Sequence, residues 1–274
     1  MTSTQKIIKY LALCLAAFLI FSIISSIFGV VYSFGNILGL HTKNEIIKDK
    51  MDTINFESNN LNSLDIEVSF TNLIIKKGDT LQAETNNENI SFNQNNKTIQ
   101  IKEKQNSWFI GNNKGDLVVY IPENISFDNV KINAGAGKIK IENIDTQKLS
   151  LELGAGETTI ENLKATLDCK IKSGAGKVSI LNGYISKLDL DLGVGKFSMT
   201  SAIKGNSKIK AGIGSLNLNV LGSKNDYTIK ASKGIGSIDI DGLNVSDNYA
   251  YGNGENTINI EGGIGSINVD FSDI

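Results

Sequence analysis

Residues 149–160 read LSLELGAGETTI, and residues 188–199 read LDLDLGVGKFSM. Each stretch consists of an alternating apolar and polar run, a Gly-x-Gly motif and a second alternating run. The motif occurs seven times between Gly135 and Gly265, and most of the first glycines lie 19 or 20 residues apart. Self-similarity at such a period is typical of stacked repeats. We therefore predict an all-β fold, namely a parallel β-solenoid or β-helix with one rung of about 20 residues per motif.

The motif glycines are predicted to form the corners of the rungs. Apolar residues stand three and five positions before the first glycine and four and six positions after it, so the apolar parity changes across the motif. A strand with a period of two must bend or bulge where its parity changes, and glycine supplies the backbone angles of such a bend. The predicted structural corners are Gly135, Gly137, Gly154, Gly156, Gly174, Gly176, Gly193, Gly195, Gly212, Gly214, Gly234, Gly236, Gly263 and Gly265.

The same parity predicts which groups face the interior at each corner. The residue between the two glycines, for example Ala175, continues the parity of the preceding run and is expected to point inward. A buried charge there, as in Ala175→Asp, is expected to unfold the repeats. Both glycines are then expected to point outward and to leave a strip without side chains. That strip is either a purely structural corner or a flat docking surface for a polymer or a partner.

Outward charges give an independent indication of stacking. Two positions before the first glycine, the second to fifth motifs have Glu152, Lys172, Asp191 and Lys210, so the sign of the charge alternates. In-register parallel strands place these side chains beside one another, and opposite charges on facing strands stabilise a sheet by ~0.2–1 kcal/mol per pair. The alternation therefore predicts in-register stacking of neighbouring rungs.

The solenoid is predicted to occupy residues 64–274, with divergent early strands in 64–130 and regular repeats in 131–274. The early part contains short β-rich runs bounded by Asn, Gly, Asp or Pro. These runs begin at Leu64, Leu73, Ile90, Thr98 and Leu117. Residues 69–72 read SFTN where a glycine corner would be expected, so the number of rungs before residue 131 stays open at this point.

The first 63 residues are predicted to tether the solenoid to a membrane. Residues 10–34 contain no charged residue, and about 20 apolar residues cross a bilayer as a helix. A cleaved signal peptide would have a shorter apolar region of about 7–15 residues. We predict a short cytoplasmic tail (1–9), one transmembrane helix (10–34) with the lipid bilayer as its partner, and a juxtamembrane stalk (35–63). The C-terminal domain is expected on the extracytoplasmic side of the cell membrane, although lysines flank both ends of the apolar run.

Composition argues against several classes of function. The net charge is −2 and all 27 basic residues are lysines, so no nucleic-acid partner is expected and the bidentate clamp of arginine is missing. The single histidine, His41, provides no plausible catalytic triad. Cys14 lies in the apolar run and Cys169 at an inward position, so no disulfide is expected. We expect no cofactor and no metal, because phosphate-loop, dinucleotide and calcium-repeat motifs are each incomplete.

Two stretches resemble a known bacterial family. Residues 116–126 read DLVVYIPENIS and residues 130–141 read VKINAGAGKIKI, which is a strand, a proline, a short polar link and the first glycine repeat. In this the chain is similar to membrane-anchored "putative adhesin" proteins, whose β-solenoid is a domain of unknown function. The resemblance covers roughly residues 64–274. It implies a location in the cell envelope, near envelope-stress systems in some members, and it supplies no catalytic residues.

These observations favour a non-catalytic, membrane-anchored envelope protein that acts as an adhesin-like binding or scaffold module. A second hypothesis is a regulatory partner of a membrane kinase or transporter in an envelope-stress response. A third is an enzyme acting on polysaccharide, which would need clustered carboxylates with a base or an arginine. Asp189 with Asp191 and Asp239 with Asp241 are the candidate pairs, and both are better explained as surface charges. The candidate partners are an envelope polymer and a membrane protein.

Overall fold

A computed structural model describes residues 51–58, 61–95, 97–104, 115–232 and 234–272. The predicted cytoplasmic tail, the predicted transmembrane helix and the stalk up to residue 50 lie outside the described residues. The chain divides by its internal contacts into two compact units, 1–49 and Lys50–Ile274. The second unit contains the β domain. Among the described residues, no helix is long and apolar enough to cross a bilayer.

In the described residues the β domain contains 17 strands that belong to one sheet. One 3₁₀ turn, Lys224–Asp226, interrupts these described strands. The strands are β1 (Asp52–Asn55), β2 (Ser63–Val68), β3 (Asn72–Lys77), β4 (Gln82–Thr85), β5 (Ile90–Asn95), β6 (Thr98–Glu103), β7 (Asp116–Ile121), β8 (Phe127–Ser186), β9 (Leu188–Lys204), β10 (Asn206–Lys210), β11 (Ile213–Leu221), β12 (Tyr227–Ser232), β13 (Ile235–Ile240), β14 (Leu243–Asn244), β15 (Tyr249–Tyr251), β16 (Asn256–Glu261) and β17 (Ile264–Ser272).

Parallel pairing arranges these strands as a stack of nine layers. Successive layers are in register, so that Gly195 of β9 lies beside Gly176 of β8 and beside Gly214 of β11. In spatial order, layer 1 is β6 and β7, layer 2 is β2 and β3, layers 3 to 5 are the successive turns 127–147, 148–166 and 167–186 of β8, layer 6 is β9, layer 7 is β10 and β11, layer 8 is β16 and β17, and layer 9 is β12 and β13. At ~4.8 Å per layer the stack is about 38 Å from the first layer to the last.

The core follows the alternation of the sequence. In layer 6, Leu188 and Leu190 before the corner and Phe197 and Met199 after it are all buried. The equivalent positions in the other repeats are buried too, and together they form one continuous cluster through the stack. Burying each large aliphatic side chain stabilises the fold by roughly 1.5–3 kcal/mol. The predicted all-β parallel solenoid and its register are confirmed.

The order of the layers departs from the order of the chain at the C-terminal end. After layer 7 the chain runs to layer 9, turns through β14 and β15, and returns as layer 8. Layer 8 is therefore inserted between layers that precede it in sequence. β14 and β15 pair antiparallel with β13 and β12, on the outer side of layer 9. This excursion explains the longer spacings of 22 and 29 residues before the last two motifs.

The N-terminal end shows the same kind of excursion. From layer 2 the chain passes through β4 and β5, returns as layer 1 on the outside, and then enters layer 3 on the inner side of layer 2. β4 and β5 pair antiparallel with β7 and β6. Two layers thus precede the regular repeats, and antiparallel strands terminate the stack at both ends.

The β domain begins earlier than the sequence indicated. β1 lies within the predicted stalk, and it pairs antiparallel with β4, from Asp52 opposite Thr85 to Asn55 opposite Gln82. Its side chains are exposed, which is why this strand has no apolar alternation by which it could be found. The chain therefore enters the domain at the N-terminal end of the stack.

Candidate binding surface at the glycine corners

The backbones of neighbouring corners approach closely at every motif glycine except Gly137, so these positions leave no room for a side chain. A methyl group added to Gly193 would overlap the carbonyl oxygen of Gly174 in the preceding layer. The second glycine also has a positive φ, which is 140° at Gly195, in a region that favours residues without a Cβ. The missing side chains would point along the stack at the next backbone, so the expectation that both glycines point outward is wrong.

The residues between the glycines form a column that we call the corner ridge. Ser69–Thr71 occupies the corner position of layer 2, because Ala136 N donates to Ser69 O at 2.6 Å. Phe70 is therefore the ridge residue of that layer. From layer 2 to layer 9, the corner ridge consists of Phe70, Ala136, Ala155, Ala175, Val194, Ile213, Ile264 and Ile235.

The corner ridge lies at the surface and not in the core. Its members are half-buried in layers 3 to 7, whereas Phe70 is 41% exposed, Ile264 37% and Ile235 73%. The prediction that these residues point into the interior is wrong, because the parity was counted through the bend that the glycines create. Ala175→Asp is accordingly expected to cost less than a charge at a buried position such as Ile171.

The corner ridge combines apolar side chains with glycine backbone on both sides, except in layer 2, where Ser69 and Thr71 flank Phe70. It extends over eight layers, or ~33 Å. Between layers 6 and 9 the side chains are large and aliphatic, and the corners line a small cavity of about 30 Å³ with Val194, Ile213 and Ile264. The arrangement is a continuous surface that repeats from layer to layer.

Side-chain ladders neutralise the faces beside the ridge. Lys172 Nζ lies 3.4 Å from Glu152 Oε1, and Lys170 Nζ lies 3.9 Å from Asp189 Oδ2. On the other face Lys177 Nζ lies 3.2 Å from Glu157 Oε1. These pairs join neighbouring layers and confirm the register that the alternating charges predicted. Because they are solvent-exposed, each contributes at most about 1 kcal/mol to stability.

The two candidate carboxylate pairs belong to these structural contacts. Asp191 lies opposite Lys172 and Lys210 in the ladder. Asp239 Oδ1 accepts a hydrogen bond from Asn244 Nδ2, and Asp241 Oδ2 lies 2.7 Å from Lys224 Nζ. Within the described ranges, no group of three or more His, Cys, Asp or Glu side chains could hold a metal ion.

Cys169 lies in the core of layer 5, as its inward position predicted, and its thiol is fully buried. Burial raises the pKa of the thiol, and the nearby charge of Asp168 raises it further. A neutral thiol in an apolar environment is a poor nucleophile. Cys169 is therefore a core residue.

Glu103 completes the corner of layer 2, and no sequence pattern indicated this role. Its side chain is largely buried, and Oε2 accepts hydrogen bonds from the backbone N–H groups of Ser69, Phe70 and Thr71 at 2.6, 3.0 and 3.3 Å. In the regular stack such a bond is accepted by a glycine carbonyl of the neighbouring layer on the N-terminal side. For example, Gly212 O of layer 7 accepts a hydrogen bond from Ile264 N of layer 8. Among the described residues the carboxylate thus takes the role of such a carbonyl, but a single Glu in a non-repeated segment carries no sequence pattern.

The C-terminal end has a different corner. β14 covers only Asp239 and Ile240 of β13, and β15 covers part of β12. Ile235 is 73% exposed and Leu243 of β14 is 66% exposed. Among the described residues, no strand pairs with the outer edge of Gly234–Gly236.

The chain belongs to the family described as Toastrack DUF4097, whose model matches residues 61–262. No curated protein matches the chain in sequence.

Several solved structures are similar to the chain. One is a "putative cell adhesion protein" from Clostridium sporogenes, with 17% identity, coverage of 81% of this chain and 99% of that one, and a TM-score of 0.35. A second is a "putative adhesin" from Bacteroides fragilis, with 10% identity, coverage of 81% and 98%, and a TM-score of 0.31. A third is a "putative lipid binding protein" from Parabacteroides distasonis, with 15% identity, coverage of 81% and 97%, and a TM-score of 0.35.

Proposed function

We propose that the protein is a non-catalytic, membrane-anchored module of the cell envelope, which binds an extended polymer or partner along the corner ridge. The observation that carries this proposal is the column of apolar side chains at the surface, which are exposed in layers 2, 8 and 9 and half-buried in layers 3 to 7, with glycine backbone beside it from layer 3 to layer 9. A repetitive surface of this kind suits an extended ligand that presents the same groups at regular intervals. The uncharged run at 10–34 supports the anchor, and with it a location at the extracytoplasmic face of the membrane.

The ladders of ion pairs beside the ridge favour a scaffold function over a catalytic one. Their charges are paired layer by layer, whereas catalytic carboxylates need distinct environments that separate their pKa values. The rigid stack holds the ridge in place without requiring a partner to order it, so that little conformational entropy is lost on binding.

The test is retention of the full-length protein, in detergent, on purified cell wall. Replacing Ile213 and Ile264 together by Thr removes apolar area from the ridge and keeps β-branched side chains. The matched control replaces Leu167 and Leu181 by Thr, since these leucines are 49% and 56% exposed outside the ridge.

We expect the native protein and the control variant to be retained on the cell wall, and the ridge variant not to be retained. Equal retention of both variants would contradict the ridge as the binding surface. A stoichiometric membrane kinase or transporter that co-purifies with the protein, without any wall retention, would contradict the proposed function and favour the regulatory alternative.

A further inference from the structure

We propose that the ligand of the corner ridge is an anionic polysaccharide, and that Lys177 and Lys196 bind its negatively charged groups. The two lysines follow the ridge residues Ala175 and Val194 by two positions. The inference deepens the proposed function by naming the class of ligand, and it rests on that function for the course of the polymer beside the ridge.

The pairing of charges beside the ridge is interrupted at these two lysines. On the side before the corner, the sign of the charge alternates through layers 4 to 8, which have Glu152, Lys172, Asp191, Lys210 and Glu261. On the side after the corner, Lys177 of layer 5 lies directly beside Lys196 of layer 6. Like charges on facing strands destabilise a sheet. A bound anion would offset that repulsion.

The ammonium group of Lys196 is available to a ligand. At the same position in the neighbouring layers stand Lys177 and Ser215, so neither neighbour is a carboxylate. Lys196 is exposed and forms no ion pair with any described residue. Lys177 Nζ lies 3.2 Å from Glu157 Oε1, so this carboxylate neutralises only one of the two charges.

Two asparagines next to the lysines are oriented as hydrogen-bond donors. Asn217 Oδ1 accepts a hydrogen bond from Asn268 Nδ2 at 2.8 Å. Asn219 Oδ1 accepts one from Ser272 Oγ at 2.7 Å. An amide has one oxygen and one NH₂ group, so these contacts leave both Nδ2 groups as donors. Ammonium groups are donors only, and the two lysines and two asparagines together form what we call the donor patch.

Carboxylates bound the donor patch on both sides along the stack. After the corner, layer 4 has Glu157 and Glu161, layer 8 has Asp270 and layer 9 has Asp239. The outward side chains after the corner in layers 5 to 7 include two lysines and no carboxylate. Three layers span about 10 Å. This length favours a polymer whose charged groups are separated by neutral units, because a denser polyanion would also face the carboxylates.

Hydroxyl groups next to the lysines suit the hydroxyl groups of a sugar. Ser179 and Ser198 lie two positions beyond the lysines, and Ser198 Oγ donates to Ser179 Oγ at 3.2 Å. A serine hydroxyl both donates and accepts hydrogen bonds, as a sugar hydroxyl does. A peptide brings an N–H donor with almost every carbonyl acceptor, whereas both amide oxygens of the donor patch are already bonded. A polysaccharide is therefore a better match than an acidic peptide.

Binding of the full-length protein, in detergent, to a series of dextrans tests the donor patch. The series consists of unmodified dextran and of dextrans of the same length with a low density of carboxymethyl or phosphate groups. We expect a charged dextran to bind at least about tenfold more tightly than the neutral one, since charge-assisted hydrogen bonds are the strong ones. The charged dextran that binds more tightly identifies the anion as a carboxylate or a phosphate. Polyglutamate is the acidic peptide for comparison.

Two double variants locate the binding. Lys177→Gln with Lys196→Gln should weaken binding of the charged dextran by at least about tenfold. The matched control, Lys172→Gln with Lys131→Gln, removes the same charge before the corner. Lys172, like Lys177, is paired with a glutamate of layer 4, and Lys131, like Lys196, forms no ion pair with a described residue. The control should bind within about twofold of the native protein, because charges away from the ligand are screened by salt.

Several outcomes would overturn the inference: no binding of either charged dextran, equal binding of charged and neutral dextrans, tighter binding of polyglutamate, or equal losses in the two double variants. Retention on cell wall is measured separately. Wall retention that depends on the ridge, without a preference for charged dextran, would remove this inference and leave the proposed function. Binding of charged dextran without wall retention would contradict the proposed function alone.

Discussion

At both ends of the stack the chain leaves the sequential order and adds antiparallel strands, yet the described corners nearest the two ends differ. In layer 2, the Glu103 carboxylate accepts the backbone hydrogen bonds that a glycine carbonyl accepts in the regular stack. At the C-terminal end, the edge around Gly236 is uncovered within the described residues, and Ile235 is exposed. Solenoids need terminal caps to prevent open-ended stacking. Among the described residues, the corner of layer 2 is therefore closed by a side chain, whereas the outer edge of the layer 9 corner has no strand beside it.

The largest expected difference in stability loss is between an interior corner, at Gly195 in layer 6, and the first regular corner, at Gly137 in layer 3. Gly195→Ala adds a methyl group that overlaps Gly176 O, and it also strains a φ of 140°. Gly137→Ala has a similarly unfavourable φ, but its nearest neighbour, Thr71 O, is 3.4 Å away. We expect a loss of about 1–3 kcal/mol for the strained backbone at Gly137, and about 1–3 kcal/mol more at Gly195 for the overlap.

The midpoint of urea unfolding, followed by circular dichroism on each full-length variant, measures this contrast. Equal losses of stability at the two glycines would show that the layers do not approach as closely as described.

The corners of layers 2 and 9 give the next contrast. Glu103→Ala leaves three backbone N–H groups without an acceptor, and we expect it to destabilise the domain by about 2–4 kcal/mol. Glu103→Gln keeps one acceptor oxygen and should cost less. Ile235→Ser removes an exposed side chain and should change stability by less than about 0.5 kcal/mol. The same unfolding measurement compares the three variants, and a larger loss for Ile235→Ser than for Glu103→Ala would contradict the closed corner in layer 2 and the open corner in layer 9.

A smaller effect, on the pH dependence of stability, is expected from Cys169 in the middle of the stack. Burial raises the pKa of Cys169 in the folded protein, while the unfolded thiol titrates near pH 8.5. Above that pH the unfolded state releases a proton that the folded state retains, so stability falls as pH rises, by at most about 1.4 kcal/mol per pH unit. Cys169→Val, which places the residue of Val130 in layer 3 at the equivalent position, should remove this part of the pH dependence.

The slope of the unfolding free energy between pH 8 and pH 10, compared in a Cys14→Ser background, isolates the contribution of Cys169. An identical slope for Cys169→Val would mean that the thiol ionises as readily in the folded protein as in the unfolded one.

Most of the fold can be predicted from the sequence, because each repeat shows the same local pattern of apolar and charged residues. The alternation around Leu188 and Leu190 specified the buried face, and the alternating charges specified the register. The inward orientation predicted for ridge residues such as Ile235 was wrong. The alternation of inward and outward side chains holds along a strand but not through a bend. The unequal motif spacings signalled an excursion, but spacing alone does not say which layers become neighbours. Glu103 could not be found, because its role depends on a corner 32 to 34 residues earlier in the chain.

The most direct test of the account concerns the identity of the outermost layer at the C-terminal end. Asn217 of layer 7 lies beside Asn268 of layer 8, and Asn268 lies beside Asp239 of layer 9. In a Cys14→Ser background, the pair Asn217→Cys with Asn268→Cys should form an intramolecular disulfide on oxidation, because adjacent strands are ~4.8 Å apart. The pair Asn217→Cys with Asp239→Cys spans two layers and should not form one. A disulfide in the second pair and none in the first would place the layers in chain order and contradict the account.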